Sequence, residues 1–238
     1  MESQTAPLVE TIGDPDYPIW LLGDSPPTKY LHLKPPNPDH LTPLDPRHPS
    51  RHTIWTPILD VIQRHLFKEC RRRLDDSELF IRNAVSRPDH KMKDTENQGA
   101  EIADLQVKEM IELRELLNRP NKPKPLLVLC FGQFAYACAL RAQQVVIEKL
   151  LPQDWEIWGI PELSMEFRRR IDEVQLGRVT LLPLLHASAA RSFPSATRHF
   201  SGGHPNYFEY VGKEIADKLI ETLLKASNKD KNLDKLWL

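Results

Sequence analysis

Three polar side chains stand at or near the ends of short apolar runs in this sequence. Asp24 lies just past Ile19–Leu22, Asn83 falls within Leu79–Val85, and His186 follows Val179–Leu185. A carboxylate can stabilise a developing cation or orient an attacking water. A carboxamide offers both a donor and an acceptor, and an imidazole can hydrogen-bond an oxygen as negative charge grows on it. Serines stand close to two of them, Ser25 beside Asp24 and Ser188 two residues after His186. A fourth run, Leu126–Phe131, ends in Gly132-Gln133.

These groups need a frame that brings them together. Each apolar run is too short for a helix and is bounded by turn or charged residues, which predicts a buried strand. Between the runs the helical period takes over. Pro57–Cys70 places Ile58, Ile62, Leu66 and Cys70 at four-residue spacing, with Pro57 suited to a first turn. Glu101–Leu117 repeats the pattern and stops before RPNKPKP, and Gln133–Leu151 and Tyr207–Leu224 read as two further helices. Strands alternating with helices imply a parallel sheet covered on both faces. The expected fold class is α/β, a three-layer α/β/α sandwich around a central, mainly parallel four-stranded sheet. One domain over 18–226 is expected, with tails at 1–17 and 227–238. Ligands in such sheets bind beyond the carboxyl ends of the strands. The order of the runs therefore puts Asp24, Asn83, Gly132 and His186 on one rim, as in an active site.

Composition narrows the class. The 238 residues carry a net charge of −1, with 40% hydrophobic and 27% charged residues, the profile of a soluble globular chain. No apolar stretch nears the roughly 18 residues of a membrane span, and the acidic, polar start MESQTAPLVETIGDPDYP is no secretory signal. Cys70, Cys130 and Cys138 lack metal-ligand spacing, and two of them lie in apolar segments as buried thiols would. The expectation is a cytoplasmic monomer without membrane attachment, metal or cofactor. The charge excludes a protein that coats nucleic acid, but not one that grips a few phosphates through a patch. Basic clusters stand at Arg71–Arg73, Arg87–Lys93 and Arg168–Arg170. Eight of the 21 prolines fall between Pro26 and Pro49, which predicts a long shaped loop. Tyr30, Trp55 and the histidines at 32, 40, 48 and 52 lie in or beside it, in no zinc pattern.

Taken in order, the motifs resemble the uracil-DNA glycosylase superfamily. GDSPP resembles the family's G-x-x-P loop, with Asp24 at the acidic position of the thermophilic, family-4 type. IRNAVSRP is similar to the segment that carries the family's base-reading asparagine, here Asn83. LVLCFGQFA matches the glycine that ends a strand and opens a helix, and LLPLLHAS leads to His186 at the position of the catalytic histidine. RHFSGGHPNYF resembles the HFS segment of the classical uracil enzymes. The resemblance covers residues 19 to about 224 and implies a DNA glycosylase, which hydrolyses the bond between a flipped-out base and its sugar.

On that resemblance Asp24 and His186 are the catalytic pair, acting on the sugar cation and on the departing base. Asn83 reads the Watson–Crick edge, and Trp55 or Tyr30 stacks on the base. Ser25, Ser188, Arg191 and Phe193 contact DNA, with Arg191 or Phe193 taking the place of the family's leucine wedge. Two departures bear on the substrate. Three cysteines cannot hold the iron–sulfur cluster of some subfamilies. Pro27 stands where the classical enzymes place a tyrosine that excludes 5-substituted bases. The substrate is therefore uracil or a bulky 5-modified cytosine of phage DNA, the latter serving antiviral defence. The alternative is a relative that binds DNA or uracil without turnover.

Overall fold

The computed structural model describes residues 10–25, 56–87, 100–143, 159–225 and 236–237. Its centre is a five-stranded sheet in the order β1-β3-β2-β4-β5, formed by Thr11–Ile12 (β1), Ile19–Gly23 (β2), Phe80–Asn83 (β3), Leu127–Phe131 (β4) and Thr180–Leu184 (β5). The four expected strands are all present and mutually parallel. The fifth corrects the expected four-stranded sheet, because β1 pairs antiparallel along the outer edge of β3 and makes the sheet mixed. Two residues carry too short an alternation to register as a strand in the sequence.

Seven helices surround the sheet among the described residues: Thr56–Cys70 (α1), Ala100–Leu117 (α2), Gln133–Gln143 (α3), Ile160–Asp172 (α4), Ala187–Ser192 (α5), Pro194–Phe200 (α6) and Tyr207–Lys225 (α7). The expected continuation of α3 to Leu151 lies outside the described residues. The connection from β2 through α1 to β3 runs toward one edge of the sheet, whereas those from β3 to β4 and β4 to β5 run toward the other. Right-handed crossovers in opposite directions place their helices on opposite faces. The packing agrees: α1 lies against α7, and α2 lies against α3. A salt bridge from Arg64 to Glu209 and a hydrogen bond between His65 and Asp217 span the α1–α7 contact.

Burial on both faces explains why the strands read as unbroken apolar runs. Ile19, Trp20, Leu21 and Leu22 are at most 2% exposed, and every residue of β4 and β5 is buried. Each such large side chain contributes about 1.5–3 kcal/mol over the exposed state. Two segments expected as tails are in fact tied to this core. Thr11–Ile12 joins the sheet and Tyr17 is 1% exposed, while Leu236 is fully buried and accepts a hydrogen bond from Tyr17 Oη at 3.1 Å. Trp237 bridges to Leu74 and lies under the Arg72 guanidinium. Arg71 and Arg73 stack on Phe67, so this basic cluster sits at the amino edge of the sheet, away from the rim.

Candidate active site

The parallel strands end level. Gly23 pairs with Asn83, Leu22 with Cys130, and Phe131 with Leu184. Asn83, Asp24, Gly132 and His186 therefore follow one another across the carboxyl rim, on neighbouring strands. The chain leaves β2 toward one face and β4 toward the other, so the topological switch point falls between these two strands. In open α/β sheets such a point, beyond the carboxyl ends of the strands, is where a ligand-binding crevice is expected. Asp24 stands on one side of this switch point and Gly132 on the other. His186 stands one strand further on, which places Asp24 and His186 on the order of 10 Å apart at about 4.8 Å per strand.

Backbone hydrogen bonds weld β2 to β3 at the rim. Ala84 N donates to Gly23 O at 2.8 Å and to Asp24 O at 3.2 Å, and Val85 N donates to Asp24 O at 3.3 Å. The Asn83 side chain is 8% exposed and lies over Gly23, where a β-carbon would fall 2.3 Å from Oδ1. Glycine is the residue that lets this carboxamide settle there.

Gly132 plays a different part. Its φ of 106° is open to glycine and strained for other residues. Its N–H donates to Leu184 O at 2.8 Å, and its carbonyl accepts from Tyr136 N to open α3. The first turn of α3 thus begins at the switch point, with N–H groups that favour negative charge. A β-carbon on Gly132 would lie 3.3 Å from His186 Cβ, so the glycine also leaves room for the histidine.

His186 is exposed and caps α5. Its Nδ1 accepts from Ser188 N at 3.3 Å and lies 2.8 Å from Ser188 Oγ. Accepting at Nδ1 puts the proton of a neutral imidazole on Nε2, which becomes the donor. Ser188, expected at the DNA, is therefore also the residue that fixes the histidine tautomer.

A buried polar layer lies behind the rim. Arg82 is 1% exposed, donates from Nε to Asn83 O at 3.0 Å and lies 3.9 Å from Glu112. Burial pulls its pKa down, against the opposing pull of Glu112 and Glu109. Glu109, 2% exposed, accepts from Ser86 N at 3.0 Å and from the Ser86 hydroxyl. It holds the turn that follows Asn83. The Cys138 thiol is pushed well above its ordinary range, first by burial and then by the carboxylates of Asp24 and Glu109, which keeps it a neutral thiol. Sequence reasoning passed over Arg82 and Glu109, although an arginine inside LFIRNAV is a visible anomaly for a buried strand.

The remaining expected residues divide. Ser25 is half-buried next to Asp24, Arg191 is exposed on α5, and Phe193 is 58% exposed where α5 meets α6. Tyr30, Trp55, Pro27 and the four histidines of the proline-rich segment lie outside the described residues. Among the described residues no three metal-ligating side chains come together, and no helix is long and apolar enough to cross a membrane. Comparison of the sequence with models of known protein families and with curated proteins finds no match.

Proposed function

We propose that the chain is a DNA glycosylase that hydrolyses the N-glycosidic bond of a flipped-out pyrimidine and leaves an abasic site. The observation that carries this reading is the level rim, which lines up a carboxamide, a carboxylate and an Nε2–H imidazole around one switch-point crevice. Asn83 is positioned to read the edge of a base with both donor and acceptor. Asp24 stabilises the sugar cation or orients the attacking water. His186 donates from Nε2 to the base oxygen as negative charge develops, and the first turn of α3 lies nearby with the same electrostatic sense. The mechanism needs no cofactor.

The substrate is uracil or a 5-substituted pyrimidine, such as the glucosylated hydroxymethylcytosine of phage DNA, since proline at 27 replaces the tyrosine that excludes 5-substituted bases in the family the sequence resembles. The test incubates the protein with oligonucleotides that each carry one candidate base, followed by alkaline cleavage. Alkali-labile sites at the candidate base support the reading. DNA binding without such sites for any base favours the non-catalytic alternative.

A further inference from the structure

Beside the rim, α4, α6 and the turn after α6 enclose a groove of about 580 Å³. Arg168, Arg198, His199, Ser195, Met165 and Gly202 contribute to its lining, and none of its lining residues is acidic. The two arginines differ from their neighbours. Arg169 and Arg170 are tied to Glu166 and Glu173, whereas Arg168 and Arg198 are exposed and have no ion pair among the described residues. A β-carbon on Gly202 would sit 2.7 Å from Arg168 Nη2, so the turn is shaped to let this guanidinium lie across it. Met165, 62% exposed, supplies an apolar wall.

Chain order links the groove to the rim. His186 caps α5, exposed Phe193 joins α5 to α6, and α6 carries Ser195, Arg198 and His199 into the groove. Two guanidiniums, a hydroxyl and an imidazole beside an apolar wall match a chain of phosphates separated by sugars.

We propose that this groove binds the sugar–phosphate backbone of the DNA strand flanking the nucleotide held in the crevice, with Arg168 and Arg198 each on a phosphate. The assignment rests on the reading of the crevice as a DNA site. It adds a contact surface on α4 and α6 that neither the rim nor the expected residues supply.

The test titrates a fluorescein-labelled, uracil-containing duplex with the full-length protein and follows anisotropy across a salt series. An Arg168→Gln/Arg198→Gln variant is expected to bind about tenfold more weakly at low salt. Its salt slope should fall by about 2, one for each lost phosphate contact. The Arg168→Lys/Arg198→Lys variant should recover most of both. Unchanged affinity and slope in the glutamine variant overturn the proposal, as does a wild type that does not bind the duplex. Capture of phosphatidylserine vesicles by the arginines, with DNA binding unaltered, also overturns it. If the glutamine variant loses affinity while the wild type releases no base, the groove stands and the glycosylase reading falls.

Discussion

The α-carbon of Gly23 lies beneath the carboxamide of Asn83, so close that a methyl group there would fall 2.3 Å from Oδ1. The two residues are register partners on adjacent parallel strands. The base reading proposed for Asn83 would thus depend on the absence of a side chain one strand away. Gly23→Ala should displace the carboxamide and cut single-turnover base release by about a hundredfold, comparable to losing one preorganised donor. Thermal melting should show the fold retained. A wild-type rate in this variant would remove Asn83 from recognition.

Asp24→Asn and His186→Ala should each slow base release by about 100- to 1,000-fold, because both residues are assigned to developing charge. Binding of the duplex should change little. Quenched-flow measurement with excess enzyme separates the chemical step from binding. Full activity in either variant takes that residue out of the mechanism.

Gly132→Ala tests the backbone at the switch point. Alanine at a φ of 106° should cost about 1–3 kcal/mol in urea denaturation. The added methyl also presses on His186 Cβ. Base release should therefore fall even at temperatures where the variant is fully folded.

Glu166 should contribute to acid stability at a distance from the rim. Burial pushes its carboxyl up, but hydrogen bonds from Arg169, Tyr136 and Arg170 outweigh this and bring it down to about 2 from an ordinary 4.5. A depressed carboxyl contributes stability that is present above its unfolded value and lost as pH falls through the folded one. Glu166→Gln should be less stable than the wild type by about 2 kcal/mol at neutral pH. The gap should shrink as pH drops from about 4.5 toward 2 and be nearly closed at the lower end. Chemical denaturation at stepped pH reads this directly, and a gap independent of pH would contradict the assignment.

Much of the frame was legible because burial on both faces writes itself as short apolar runs. The four parallel strands, and the places of Asp24, Asn83 and His186 at their ends, follow from that pattern and from the carboxyl-edge rule. Strand β1 was not legible, since two residues held by edge pairing leave no periodic trace. The helices α4, α5 and α6 were missed for a related reason. Helix α4 places five charged residues among its last seven, and α5 and α6 are too short for periodicity to accumulate. The link from Tyr17 to Leu236 depends on a contact across 219 residues, which no local pattern encodes. Among site residues, the tautomer-setting role of Ser188 needed geometry, because spacing alone does not say which way a hydroxyl faces.

The level ending of strands β2 to β5 also bears on how this chain can change length. Side chains alternate between faces, so deleting one residue inside any of these strands would turn its rim residue over and break the ladder with each strand it pairs with. Strand lengths are therefore frozen together, as a set. Ser25 and Arg87 lie beyond the last residues paired in this ladder, so length changes in the connections after them do not shift its register. Insertions and deletions should accumulate there, because they leave the strand register, and with it Asp24, Asn83 and His186, in place. A library of random single-codon deletions, sorted for folded protein, should be depleted across the strands and enriched in those two connections.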